Sequence, residues 1–98
     1  MKQSIFTIER SRPLARDVVE LRLRGDASAI TAPGQFVNIR LEGKFLRRPI
    51  SVCSVEGDGL TLIYKIVGGG TRQLAAMQPG QTLDLLTALS QLQVADFE

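Results

Sequence analysis

The sequence predicts an all-β sandwich or barrel of six short strands, with one short helix before the last strand. Three observations predict it. Period-two alternation of apolar and polar residues recurs six times, Gly, Pro and Asp punctuate the runs, and one Gly-rich segment switches to helical spacing. Ninety-eight residues are enough for one domain with one modest core.

Taken in order, residues 4–10 alternate around Phe6 and Ile8. Residues 17–24 set Val19, Leu21 and Leu23 against Glu20, Arg22 and Arg24. Residues 35–42 repeat the pattern with Val37, Ile39 and Leu41 against Asn38, Arg40 and Glu42. Residues 49–56 and 60–67 are joined by Gly57-Asp58-Gly59, a hairpin signal. Residues 82–86 form the sixth strand. Between the fifth and sixth, Gly68-Gly69-Gly70 leads to Thr71 as N-cap of a helix over 72–77, with Leu74 and Met77 on one face and Pro79-Gly80 as its stop. Pro33-Gly34-Gln35 and Pro79-Gly80-Gln81 are the same turn chemistry used twice. Closure of the sheet is expected, because an open six-stranded sheet leaves two pairing-prone edges. The tail, 87–98, carries Leu89, Leu92 and Phe97 at loosely helical spacing.

Composition narrows the chemistry. With 44% hydrophobic and 22% charged residues the chain is ordinary for a globular domain. No apolar run nears the ~20 residues that span a bilayer, and the N-terminus lacks the apolar block of a signal peptide, so a cytoplasmic protein is expected. There is no histidine and one cysteine, which excludes histidine acid–base catalysis, internal disulfides and zinc or iron–sulfur sites of usual ligand count. Cys53, in the apolar stretch Ile50–Val52, is expected to be a packed, inert thiol. Redox chemistry would have to come from a cofactor.

Net charge is +2, but residues 1–50 hold ten basic and five acidic side chains, densest at Arg40, Lys44, Arg47 and Arg48. This is a solvated face or a phosphate site. Nucleic-acid binding is disfavoured by five aromatic residues without a stacking motif. In Arg47-Arg48-Pro49-Ile50-Ser51, proline pushes Arg48 toward extended backbone, so its guanidinium can aim at a fixed phosphate with Ser51 on the same strand. The triple glycine before Thr71 is either a flexible connector or a run of unobstructed amides that accept an anion. Together the two segments can face one pyrophosphate from two sides.

The ordered series Pro33-Gly34-Gln35-Phe36-Val37, Arg47-Arg48-Pro49-Ile50-Ser51, Leu62-Ile63-Tyr64-Lys65 and Gly70-Thr71 resembles the flavin domain of ferredoxin reductase-like proteins. The likeness is nearest to electron-transfer subunits of NAD-dependent bacterial dihydroorotate dehydrogenases, over roughly residues 4–86. It implies a Greek-key barrel binding FAD. Arg48 would hold the pyrophosphate, Pro49, Ile50 and Ser51 would line the flavin, Ile63, Tyr64 and Lys65 would contact the ribityl and nucleotide portion, and Gly70 and Thr71 would meet phosphate. Tyr64 divides evenly between packing and flavin contact.

Ile50 stands where the wider family has an aromatic residue, which favours the narrower likeness, and Lys65 replaces an arginine. The resemblance further implies a barrel over 1–86 and a tail over 87–98 that is truncated before any nucleotide domain. The [2Fe-2S] centre of the full proteins is not encoded, and their catalytic dihydroorotate dehydrogenase subunit is the implied partner. A homo-oligomer of the shortened chain and a preference between FAD and FMN stay open. The competing reading is a cofactor-free barrel that acts as a protein-interaction module.

Overall fold

The structure, a computed structural model, describes residues 2–30, 35–43 and 47–89. Pro33 and Gly34 of the first Pro-Gly turn, Lys44 of the basic stretch and residues 90–98 of the tail lie outside the described residues.

Six strands and one helix follow in chain order: β1 (Lys2–Ala15), β2 (Val18–Arg24), β3 (Phe36–Arg40), β4 (Arg48–Glu56), β5 (Gly59–Lys65), α1 (Gly69–Ala75) and β6 (Thr82–Leu89). They close as an antiparallel barrel in the order β1-β2-β5-β4-β3-β6. The crossings from β2 to β3 and from α1 to β6 make it a Greek key. The alternation works as its chemistry requires. On β2, Val19, Leu21 and Leu23 are buried, while Glu20 and Arg22 are half-buried and Arg24 is exposed. Phe6, Ile8, Val37, Ile39, Leu60, Leu62, Leu83 and Leu85 complete an interior to which α1 adds Leu74 and the segment after β2 adds Ala27 and Ile30.

Four local departures from the sequence reading have physical causes. First, β1 continues five residues beyond the alternating run. Its first half pairs with β6, from Lys2 against Thr87 to Thr7 against Thr82, and its second half pairs with β2, up to Ala15 against Val18. Backbone pairing extends the strand where burial does not, since Arg10, Arg12, Pro13 and Leu14 are exposed. Pro13 is tolerated because that half of β1 has a strand on one side only. Second, Asp17 sits in the β1–β2 turn with φ of 59°, a left-handed conformation that aspartate adopts more readily than most residues.

Third, Cys53 is exposed rather than packed. Cys53 follows the inward-facing Val52 and by strand alternation points away from the core; it is also the extra residue of a bulge where the β4–β5 ladder shifts register between Val52 and Ser54. Fourth, the N-cap of α1 is Gly68, not Thr71, which lies three residues further on. The Thr71 hydroxyl reaches back and accepts from the N–H groups of Val67 (2.8 Å) and Gly68 (3.2 Å). Elsewhere β6 runs through Leu89, because Thr87 pairs with Lys2 and Leu89 with Phe36. The β4–β5 loop has Gly57 at φ of 60°, the first of two loop residues and a position that favours glycine.

Candidate functional site

The barrel is split over part of its height. The β4–β5 ladder runs from Glu56 against Gly59 to Val52 against Leu62. Beyond Leu62 the two strands keep one neighbour each. Arg48 to Ser51 pair with Ile39 to Phe36 of β3, and Ile63 to Lys65 pair with Glu20 to Val18 of β2. Residues 48–51 and 63–65 therefore face each other across unpaired strand edges.

Below this split lies a cleft of about 310 Å³ lined by Arg48, Pro49, Ile50, Val67, Gly68, Gly70 and Thr71. Five of the nine predicted site residues meet here. Arg48 leans over α1 so closely that a Cβ on Gly70 would stand 2.6 Å from Arg48 Nε and 3.3 Å from Leu41 Cδ1. Glycine leaves room for that approach, since a methyl there would push the exposed Arg48 side chain aside; its backbone angle does not call for glycine. The first intrahelical bond of α1 runs from Arg72 N–H to the Gly68 carbonyl (3.0 Å), so the amides of residues 69–71 have no partner within the helix. Those of Val67 and Gly68 are occupied by the Thr71 hydroxyl.

The other four residues are distributed differently. Ser51, Ile63 and Lys65 are exposed on the outer faces of the two strands beside the split, and do not line the cleft. Tyr64 points inward and is 6% exposed, which places its ring in packing. Its hydroxyl is buried without a hydrogen-bond partner among the described residues, and burial pushes the phenol up to about 12.

Electrostatics separate the basic cluster. Arg47 is tied to Asp84, with Nη2 3.0 Å from Oδ1, and Arg40 stands opposite Asp84 in the β3–β6 register. Arg48 has no ion pair or hydrogen bond among the described residues. A larger depression of about 560 Å³ on the far side of α1 mixes Arg40 with Glu42 and Asp84, so it presents no single sign of charge. Sequence reasoning missed Val67, Gly68 and Leu41. Gly68 was visible as the first of the three glycines, whereas Val67 resembled one more core residue of β5.

A barrel of this topology, split between its fourth and fifth strands with an uncommitted arginine at the split, is of the ferredoxin reductase-like class. Comparison with known proteins agrees. No family model matches the chain. It is 39% identical over 95 residues to the electron transfer subunit of dihydroorotate dehydrogenase B (NAD(+)) from a Geobacillus species, which covers 91% of this chain and 37% of that protein. It is 40% identical over 96 residues to the corresponding subunit of Shouchella clausii, covering 92% of this chain and again 37% of the relative. Among solved structures, an NADH-dependent reduced ferredoxin-NADP oxidoreductase studied for flavin-based electron bifurcation superposes with a TM-score of 0.74 at 30% identity, over 85% of this chain and 32% of that one. Over about nine-tenths of its length the chain is thus similar to dihydroorotate dehydrogenase B electron transfer subunits, and it spans a little over a third of the length of the curated relatives it matches.

Proposed function

We propose that this chain is the FAD-binding domain of an electron-transfer flavoprotein subunit that relays electrons from dihydroorotate oxidation toward NAD in pyrimidine biosynthesis. The observation that carries the proposal is Arg48, a guanidinium without a partner among the described residues, at a cleft that Gly70 keeps open. A cation left unpaired beside bare amides suits a diphosphate, which a planar fork binds bidentately.

In this reading Arg48 holds the pyrophosphate, with Gly70 and Thr71 meeting it from α1. Pro49, Ile50 and Ser51 line the flavin, with Ser51 nearest its redox-active edge, and Ile63 and Lys65 offer an outer shelf to the ribityl and nucleotide portion. The orphaned Tyr64 hydroxyl is a donor that such a ligand would satisfy. A bound FAD would supply the electron relay, and the residues of this chain bind it, orient it and hold its phosphates. In this reading the barrel, with β6 carried to Leu89, is the part of this chain that holds the flavin. The catalytic dihydroorotate dehydrogenase subunit is the electron-donating partner, in a cytoplasmic setting. No helix among the described residues is long and apolar enough to cross a membrane.

Titration of the purified chain with FAD, followed by quenching of flavin fluorescence, tests this. Saturable quenching is expected, and Arg48→Ala should weaken it by about 1.5–3 kcal/mol, the scale of hydrogen bonds to a charged group. A colourless protein that quenches no flavin would end the proposal and leave the cofactor-free interaction module in its place.

A further inference from the structure

Arg47 and Arg48 are neighbours in sequence with opposite circumstances. Arg47 donates through Nη1 to the carbonyls of Asn38 (3.3 Å) and Asp84 (3.0 Å), and through Nη2 to Asp84 Oδ1 (3.0 Å). The second carboxylate oxygen of Asp84 accepts from Gln3 Nε2 (2.7 Å). The Arg47 and Asp84 side chains are only 17% and 19% exposed. Burial alone would raise the Asp84 carboxyl, but hydrogen bonds from Gln3 and Arg47, with the charges of Arg47 and Arg40, hold it below its ordinary value. One carboxylate thus joins β1 and β6 to the residue that leads into β4, and the same guanidinium reaches β3.

Consecutive residues of extended chain project to opposite faces. Pro49 holds Arg48 extended. With residue 47 pinned on the outer face, residue 48 is directed to the other, onto Gly70 and Leu41 at the cleft. We propose that the Gln3–Asp84–Arg47 cluster is a positioning device that holds Arg48 aimed into the cleft before any ligand arrives. Its consequence for affinity rests on the flavin reading, but the aim itself does not. A donor ordered in advance loses less freedom on binding, and a lysine at 47 could not serve three acceptors in the same fork geometry.

The test uses Asp84→Asn and Arg47→Lys, the second keeping the charge and serving alone if the first does not fold. In ligand-free protein, the NMR signal of the Arg48 Nε–H should be ordered in the parent and should shift and broaden in each folded variant. FAD should bind about two- to tenfold more weakly to each, the scale of ordering one long side chain on binding. Arg48→Ala should cost a smaller factor in either background than in the parent. An Arg48 signal unchanged in a folded variant, or a full Arg48→Ala penalty in both backgrounds, overturns the proposal. If the Arg48 signal responds as expected but the parent binds no FAD, the flavin reading fails and the positioning role stands.

Discussion

The two sides of this barrel treat their arginines in opposite ways. On the β1–β2 face, Arg10 and Arg12 share Glu20, at 2.8 and 3.2 Å, and Arg24 is held between Glu9 (2.8 Å) and Asp58 (3.2 Å). Arg22 completes the array beside Glu9 and Glu56, at 3.7 and 3.9 Å, and compensates a register that sets it directly opposite Arg10. There β2 is paired on both sides, to β1 and to β5, and these four arginines are matched on the protein itself. Where β4 and β5 part, edges are unpaired and Arg48 has no carboxylate partner among the described residues. The matched side holds the fold, and the unmatched side is where a ligand's charge fits. Exposed ion pairs add little stability, so their use on the first face is to leave no net field there.

The contrast can be broken at graded cost. Leu62, at the last rung before the split and fully buried, belongs to the fold. Leu62→Ala should destabilise the chain by about 2–5 kcal/mol in chemical denaturation, FAD or no FAD, through lost contacts and a cavity.

Tyr64 stands at the boundary between the two sides. Its phenol is raised from 10 to about 12 in the folded chain, so the unfolded chain releases that proton first as pH rises. The associated stability is complete below pH 10 and should fall by on the order of 2 kcal/mol between pH 10 and 12, a loss absent from Tyr64→Phe in unfolding curves across that range. Near pH 7 Tyr64→Phe should leave stability unchanged or raised, since the hydroxyl has no partner to lose. A weakened FAD titration for the same variant would assign the hydroxyl to the ligand.

Gly70→Ala separates binding from folding more sharply. The new methyl would displace Arg48, so FAD affinity should drop by roughly tenfold, while thermal stability moves by less than about 1 kcal/mol, because alanine is the better helix former. Thr71→Ala should have the smallest effect, about 1 kcal/mol of stability in thermal unfolding from the hydroxyl that holds the N–H groups of Val67 and Gly68. Loss of FAD binding larger than the loss of stability would show that residue 71 touches phosphate directly.

How much of this was legible depends on what each residue obeys. Val19, Leu21 and Leu23 alternate with charged residues, and burial follows parity, so β2 could be read almost residue by residue. The second half of β1 could not, because Arg10–Ala15 are held by backbone pairing and carry no apolar rhythm. Cys53 defeated the reading because its apolar neighbours suggested packing, whereas alternation from the buried Ile50 and Val52 sets residue 53 on the outer face. The convergence of Arg48 with Gly70 and Thr71 was inferable from a proline, a glycine run and a resemblance. The division of labour between Arg47 and Arg48 was not, since it depends on which face the chain turns to β6, and Asp84 lies 37 residues away.

The alternation of β4 leaves the chain's single thiol exposed on the outer strand face, two residues along from Ser51. A cysteine-directed fluorophore would therefore attach at one defined place. Its emission would report both occupancy of the neighbouring shelf and the approach of any protein that docks over it, without alteration of a residue that holds the fold or lines the cleft.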